Sequence, residues 1–298
     1  MDWQQFVMNL ETLNPASVEE ILVRHGAQSV TLSDAGDLPV LEPGPGETPL
    51  WSHTRITGLF DADADMAKLL EDLQVSLALD ELPEHSLETL VDREWEREWL
   101  RDFRAMRFGA RLWVCPADSI PDQADAVVVR LDPGLAFGTG THATTAMCLE
   151  WLDSLDLQGK TVLDFGCGSG VLAIAALELG GAQAQAMDID VQAVTATREN
   201  AAQNGVQDRL TVSASANDIE GPFDVVVANI LAGPLAEMAA TISEHVRPGG
   251  RLALSGILSE QAAGVLEAYA SWVDFDEPEF REQDGQTWTR LTGRRKPS

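Results

Sequence analysis

Cysteine is scarce in this chain of 298 residues, which contains only Cys115, Cys148 and Cys167. The three are widely spaced and form no CxxC pair, and the sequence has no cluster of histidines and cysteines at the spacing of metal ligands. A disulfide framework needs paired cysteines, and a structural zinc site needs a set of closely spaced ligands. Neither can be the basis of this fold.

Long apolar runs are also missing. No stretch approaches the roughly 18 apolar residues that a membrane helix requires. The N-terminal segment MDWQQFVMNL has no basic flank of the kind that precedes a secretory signal. We therefore expect a soluble, cytoplasmic protein that has no association with membranes.

Positive charge is the third scarcity. There are 20 Lys and Arg residues against 48 Asp and Glu, a formal net charge of −28. Such a surface repels phosphate backbones, so we expect no direct readout of nucleic acid. Two explanations of the charge remain open: a basic protein partner, or adaptation to a salty cytoplasm. We expect a monomer.

The N-terminal part of the chain alternates short strand-like and helix-like segments. Residues 1–91 show the order β-α-β-β-α-β, interrupted by the Pro/Gly-rich stretch EPGPGETPLW. This order predicts a small α+β, ferredoxin-like domain. In residues 92–107 an aromatic residue recurs every four positions among charges, which predicts an amphipathic linker helix.

Residues 108–298 carry strand-like segments interleaved with helices, which predicts a doubly wound, mostly parallel α/β sheet. Within them, the segment DFGCGSG at 164–170 follows the strand-like KTVLDF and precedes the helix-like VLAIAALELG. Gly166, Gly168 and Gly170 allow a tight turn that brings the backbone close to a ligand. The helix behind the turn is expected to aim free N–H groups at a bound anion.

The spacing of residues around this turn limits which nucleotide ligand it can bind. Val171 stands where a dinucleotide fingerprint needs its third glycine, and the Lys-Ser/Thr of a phosphate loop is absent. Asp188 follows Gly166 by 22 residues (188 − 166) at the end of the next strand-like run, where an acidic side chain reaches ribose hydroxyls. These features favour an adenosine with a small carboxylate tail, and S-adenosylmethionine is such a molecule.

Asn229 ends the later strand-like run FDVVVAN. Ligands of open parallel sheets bind beyond the carboxyl ends of the strands, so the amide of Asn229 is expected to lie at the reacting group and to act as the catalytic residue. The alternative is a simple turn residue. We identify no histidine–acid pair as a base, and we expect burial in the pocket to lower the pKa of an acceptor amine.

The stretch 132–145, DPGLAFGTGTHATT, is too rich in glycine and too apolar for an ordinary linker. It is expected to cover the pocket, with Phe137 against a cofactor face and His142, Thr144 and Thr145 near its polar end. The competing interpretation is that His142 is structural and that the threonines cap the following helix.

These segments together resemble the PrmA family of methyltransferases, which act on large-subunit ribosomal protein eleven. The resemblance rests on LDPGLAFGTGTHATT, VLDFGCGSGVLAIAA, DID at 188–190, VVVANILAGPL and LSGIL, and with the N-terminal organisation it covers essentially the whole chain. It implies a class I methyltransferase domain and trimethylation of lysine ε-amines and the N-terminal α-amine. It also implies that residues 1–91 recognise the substrate and that no metal takes part.

By the same resemblance Thr145, Gly166, Asp188 and Asn229 contact S-adenosylmethionine. Phe137, His142, Gly168 and Gly170 complete the cofactor-binding residues expected from the loops. The alternatives are a methyltransferase of another protein or of a small molecule, and a catalytically silent ribosome assembly factor. A dehydrogenase is disfavoured by Val171.

Overall fold

The computed structural model describes residues 3–34, 54–90, 104–116, 121, 123, 125–131 and 140–297. The chain divides into two units, Met1–Trp95 and Glu96–Ser298. None of the helices described is long and apolar enough to cross a membrane. Phe137, most of the stretch 132–145 and residues 92–103 of the predicted linker helix lie outside the described residues.

The first unit is a four-stranded antiparallel sheet with two helices. Its elements are β1 (Trp3–Asn9), α1 (Pro15–Arg24), β2 (Ser29–Asp34), β3 (Thr54–Asp61), α2 (Met66–Ser76) and β4 (His85–Leu90). The strand order is β2-β3-β1-β4, and every neighbouring pair is antiparallel. Along the chain the elements follow the order β-α-β-β-α-β that the sequence pattern predicts for a ferredoxin-like unit.

Local sequence explains how the first unit forms. Asn14 caps α1 by accepting a hydrogen bond from Ala16 N–H, and Pro15 occupies the first helical position, where its missing N–H costs nothing. On β1, Phe6 and Met8 are fully buried while their neighbours are partly exposed, the period-2 pattern of a strand with one covered face. The core of the unit is therefore formed by one face of the sheet and the two helices.

The second unit begins with a small sheet, and here the sequence prediction needs a correction. Met106–Phe108 form a strand, β5, which pairs antiparallel with β6 (Leu112–Cys115); β7 (Val127–Arg130) pairs parallel with β6. The linker helix predicted over 92–107 therefore does not include residues 104–107, because 104 and 105 are irregular and Met106 and Arg107 belong to the strand. Phe108 is buried, and Gly109 reverses the chain at a φ of +71°, a conformation that favours a hairpin over a helix.

The main sheet of the second unit has the predicted doubly wound, mostly parallel form. Its strands are β8 (Thr161–Phe165), β9 (Gln183–Met187), β10 (Leu210–Ser213), β11 (Phe223–Asn229), β12 (Val246–Leu258), β13 (Val273–Phe275), β14 (Glu279–Gln283) and β15 (Gln286–Arg295). The order is β10-β9-β8-β11-β12-β15-β13, with β14 paired to β15. The first five strands of this order are parallel and the last three strands in sequence are antiparallel additions.

The helices of this unit are α3 (Ala143–Ser154), α4 (Val171–Glu178), α5 (Val191–Gln203), α6 (Ala232–Glu237), α7 (Ala239–His245) and α8 (Ala262–Tyr269), with short 3₁₀ turns at Gln207–Arg209, Ala216–Asp218 and Ser259–Gln261. Both faces of the sheet are covered. On β11, Val225 and Val227 belong to one apolar core, and Val226 and Ala228 to the other. A strand buried on both sides needs an unbroken apolar run, as in FDVVVA.

The strand order reverses between β8 and β11, because β9 and β10 extend the sheet on one side and β12 on the other. A crevice for ligands forms at such a point, beyond the carboxyl ends of the strands. The glycine turn after β8 and Asn229 at the end of β11 both lie there.

Candidate functional site

The glycine turn joins the end of β8 to the first residue of α4. Gly166, Gly168 and Gly170 all have positive φ, at +78°, +53° and +79°. The N–H groups of Gly166 and Cys167 both donate to the carbonyl of Met187 on β9, at 2.7 and 3.0 Å. The turn is thereby held to the next strand by its own backbone.

The space beside two of these glycines is filled by the protein itself. A Cβ on Gly166 would lie 2.1 Å from Cγ2 of Ile230, and one on Gly170 would lie 2.6 Å from Cγ2 of Thr197. The sequence prediction assigned the glycines to close approach of a ligand. At these two positions the structure shows close approach of side chains from the loop after β11 and from α5, and the contact of the glycines with a ligand stays a prediction.

The N-terminus of α4 also differs from the sequence prediction. Its Val171 N–H donates to Ser169 Oγ at 3.4 Å, and its Ala173 N–H donates to Asp164 Oδ2 at 3.0 Å. These donors are satisfied within the protein, so the expectation of free N–H groups aimed at an anion is wrong for them. The helix end is occupied by a carboxylate of its own chain, which favours a ligand other than a phosphate.

Asp164 is a further candidate for the site that was not predicted from the sequence. It lies on β8, is fully buried, and its Oδ1 has no hydrogen-bond partner. Burial raises the pKa of Asp164 to about 7; the hydrogen bond from Ala173 opposes this change and the negative charge of Asp188 adds to it. The signal in the sequence is an acidic residue inside the apolar strand TVLDF, next to the glycines.

Asp188 lies where the sequence predicted, at the end of β9 facing the glycine turn. Its Oδ2 accepts from Gly168 N–H at 2.8 Å, and its Oδ1 accepts from Asp190 N–H at 3.0 Å. An ionised carboxylate offers about four acceptor positions, so each oxygen can still receive a ligand hydroxyl. The two bonds hold the carboxylate in one orientation at the edge of the turn.

The residue after Asp188 is an exposed apolar side chain. Ile189 is 87% exposed and lies between Asp188 and the N-cap of α5, Asp190. A lone exposed isoleucine is ordinary on a surface, and this one lies next to the carboxylate that faces the glycine turn. The sequence analysis quoted this residue only within DID.

Asn229 and Thr145 are brought together by the fold. Asn229 ends β11, Thr145 lies buried in the first turn of α3, and Asn229 Nδ2 donates to Thr145 Oγ1 at 3.1 Å. The amide is thus fixed by its nitrogen, and its oxygen is the group that it can offer to a donor. The next residue, Ile230, packs on Gly166, so the loop after β11 and the glycine turn share one contact.

His142 is the N-cap of α3, which corrects the alternative that the threonines cap this helix. Its Nδ1 accepts from Thr144 N–H at 3.4 Å and lies 2.8 Å from Thr144 Oγ1, while Thr144 and Thr145 belong to the helix. Burial lowers the pKa of His142 and the charge of Asp284 opposes this change. A neutral ring keeps Nδ1 able to accept, as a cap requires.

Comparison with known proteins decides the family. The family model described as "Ribosomal protein L11 methyltransferase (PrmA)" matches residues 2–296. Curated relatives named ribosomal protein L11 methyltransferase are 49% identical in Shewanella woodyi, covering 99% of this chain and 100% of the relative, and 52% identical in Klebsiella pneumoniae, with the same coverage. The chain belongs to the PrmA family.

A solved structure agrees with this assignment. The ribosomal protein L11 methylase from Lactobacillus delbrueckii subsp. bulgaricus is 34% identical, with a TM-score of 0.59, and the match covers 65% of this chain and 100% of that one. The resemblance inferred from the sequence motifs, and the class I methyltransferase fold that it implied, are therefore confirmed.

In this PrmA-family chain the β14–β15 hairpin supports the start of α3. Gln283 Oε1 accepts the N–H of Ala143, and the ring of Trp288 meets that of His142 edge-on, with centroids 4.5 Å apart. Arg281 makes a two-pronged ion pair with Glu150 further along α3, at 3.2 and 2.6 Å. The C-terminal hairpin thus steadies the helix that carries Thr145, a role with no local signal in the sequence.

The described residues contain no grouping of three or more His, Cys, Asp or Glu side chains that could hold a metal ion. The three cysteines are buried free thiols.

Proposed function

We propose that this enzyme transfers methyl groups from S-adenosylmethionine to lysine ε-amines and to the N-terminal α-amine of ribosomal protein L11. Membership of the PrmA family supports the methyl transfer and the protein substrate. The observation that carries the amine assignment is the Asn229 amide, fixed through its nitrogen by Thr145 and offering an oxygen, which accepts an N–H from an amine.

The residues of the site fit the methyl donor. Its positive charge suits the unpartnered Oδ1 of buried Asp164, its ribose suits the oriented carboxylate of Asp188, and its adenine suits the exposed Ile189. S-adenosylmethionine carries its methyl group on a positively charged sulfur. When a nucleophile attacks the methyl carbon, the carbon–sulfur bond breaks and the sulfur leaves as a neutral thioether. Gly166, Gly168 and Gly170 shape the turn against which it binds.

The contribution of the protein is alignment. A displacement of this kind needs the attacking atom in line with the bond that breaks, so groups that hold the acceptor carry much of the rate. We propose that Asn229 Oδ1 accepts one N–H of the neutral amine and thereby directs its lone pair. A lysine must lose a proton first, and partial burial of its amine lowers the pKa that is otherwise near 10.4.

We also propose a role for each segment of the chain. Residues 1–91 are assigned to recognition of the ribosomal protein, 92–107 to the linker between the two domains and 108–298 to catalysis, with Phe137 and His142 on the donor side. The acidic charge of the first unit is complementary to a basic protein substrate. We propose that the protein makes no direct readout of nucleic acid. We propose that the protein is cytoplasmic, because its substrate is a ribosomal component, and that it is a monomer.

The decisive experiment uses the full-length chain, methyl-labelled S-adenosylmethionine and three acceptors: purified ribosomal protein L11, an unrelated basic protein and ribosomal RNA. Mass spectrometry then locates the label. We expect label on lysines and the N-terminus of the ribosomal protein alone. Label on RNA, or donor binding without transfer to any protein, would contradict the proposal; the second result would favour a silent assembly factor.

The raised pKa of Asp164 leads us to expect that the free energy of unfolding depends on pH. An aspartate in water has a pKa near 3.8, and that of Asp164 in the folded protein is about 7. Between these values the folded state holds a proton that the unfolded state has lost, so this residue lowers stability as pH rises from 4 to 7, on the order of 3 kcal/mol. Asp164→Asn removes this dependence. Urea unfolding of both proteins from pH 4.5 to 8 measures it.

The same replacement tests the role of Asp164 toward the donor. A positive ligand favours the ionised carboxylate, so donor binding at pH 6.5 is expected to release a proton from the wild type and not from Asp164→Asn. Calorimetry in buffers of different ionisation enthalpy counts that proton. Equal proton release by both proteins would remove Asp164 from the donor site.

A further inference from the structure

Helix α5 carries polar side chains on a buried face. Thr197 is fully buried and Asn200 is 4% exposed, three residues apart, and Asn204 follows just beyond the end of the helix. Positions i, i+3 and i+7 share one side of a helix. Buried polar groups on such a face are costly unless they are hydrogen-bonded, so their partners explain why they are there.

The partners of the first two are the carbonyls of the glycine turn. Thr197 Oγ1 donates to Gly168 O at 2.9 Å, and Asn200 Nδ2 donates to Ser169 O at 2.9 Å. The Cys167 Sγ lies 3.3 Å from Thr197 Oγ1. Since the Thr197 hydroxyl donates to Gly168 O, its oxygen can accept from the protonated Cys167 thiol, whose pKa is raised by burial.

With these bonds, both backbone polar groups of Gly168 are hydrogen-bonded. Its N–H is held by Asp188 on one side and its carbonyl by Thr197 on the other. A glycine has no steric preference of its own between left- and right-handed backbone, so external bonds must choose its conformation. The methyl group of Thr197 also fills the place where a Cβ on Gly170 would lie.

We propose that Thr197 and Asn200 are positioning residues for the methyl donor. They hold the carbonyls of Gly168 and Ser169 toward α5, so the turn is already in the shape that receives the donor. This proposal rests on the proposed function. Preorganisation of a binding loop appears as ligand affinity, because an unfixed turn must be ordered at the moment of binding.

Asn204 is the matched control. It also lies on α5's buried side. Besides one hydrogen bond to the Asn200 carbonyl within the helix, at 2.8 Å, its side chain makes two bonds to the backbone of Arg130, accepting from the N–H at 2.7 Å and donating to the carbonyl at 2.6 Å. Those bonds anchor the end of β7 and do not reach the glycine turn. Asn204→Ala is therefore a change of similar stability cost that leaves the turn's carbonyls satisfied.

The test measures donor dissociation constants by calorimetry, steady-state kinetics and melting temperature for Thr197→Val, Asn200→Ala and Asn204→Ala. We expect Thr197→Val and Asn200→Ala to weaken donor binding by about tenfold, in line with an unsatisfied buried carbonyl, and to raise the donor KM more than they lower kcat. Asn204→Ala is expected to lower the melting temperature while donor binding stays within about twofold.

Thr197→Ser completes the design, since it keeps the hydroxyl and removes only the methyl group; it is expected to restore most of the donor affinity lost in Thr197→Val. Equal donor affinity in Thr197→Val and wild type, or an equal loss in Asn204→Ala, would overturn the proposal. If the wild-type protein itself binds no S-adenosylmethionine, the proposed function fails, which is a different outcome from either of these.

Discussion

Replacement of Asn229 by alanine is expected to lower kcat by about 100-fold or more while the protein still binds S-adenosylmethionine. The reason is alignment: loss of one well-placed contact to a reacting group costs on the order of 10² in rate. Asn229 is only half-buried at the end of β11, so alanine there leaves the apolar core intact. Steady-state kinetics with the ribosomal protein, together with calorimetric donor binding, measure both quantities.

Thr145→Val is the partner variant, because valine keeps the shape of threonine and removes the oxygen that accepts from Asn229 Nδ2. It is expected to lower kcat by about tenfold, since the amide remains but is no longer oriented. In the double variant the Thr145 change should add nothing. Unchanged turnover in Asn229→Ala with donor bound would refute the acceptor-positioning role of this amide.

Gly166→Ala is expected to abolish donor binding and to destabilise the second unit by about 3 kcal/mol, since it combines left-handed strain with overpacking. At a φ of +78° a Cβ is strained, and at this position it would also meet Ile230 Cγ2 at 2.1 Å. The collision pushes apart the glycine turn and the loop that carries Asn229. Urea unfolding and donor titration report the two effects.

Two further variants separate the causes. Gly205 has a similar φ of +69° with nothing within 4 Å of an added Cβ, so Gly205→Ala isolates the backbone strain and is expected to cost about 1 kcal/mol. Adding Ile230→Ala to Gly166→Ala removes the atom that collides and should recover part of the loss. If Gly166→Ala and Gly205→Ala lowered the free energy of unfolding equally, the contact with Ile230 would contribute nothing to the effect at Gly166.

Much of the architecture was predictable because it depends on local patterns. The run VLDF, the glycines and VLAIAALELG specify strand, turn and helix by apolar periodicity and by the need for positive φ. The alternation along residues 1–91 likewise predicts the order of elements in the first unit. The linker prediction was wrong at residues 104–107, because it carried the helical spacing of the upstream aromatic residues past Phe103, to residues of which Met106 and Arg107 pair with a neighbouring strand.

The candidate site was predicted only in part. The positions of Asp188 and Asn229 follow from a general rule, that ligands of a parallel sheet bind at the carboxyl ends of its strands. The buried state of Asp164 and its raised pKa do not, because they depend on α4 covering that carboxyl group. The cap of α3 by His142 and its contact with Trp288 depend on a hairpin far along the chain.

The sequence by itself determined the class of fold, the place of the glycine turn and the family, because motifs and periodicity are properties of neighbouring residues. Only the tertiary structure decided what occupies the space beside Gly166 and Gly170 and which groups hold the turn's carbonyls. Those partners, Ile230, Thr197 and Asn200, come from segments distant in sequence. Their contacts are set by how helices and strands pack, which no local pattern encodes.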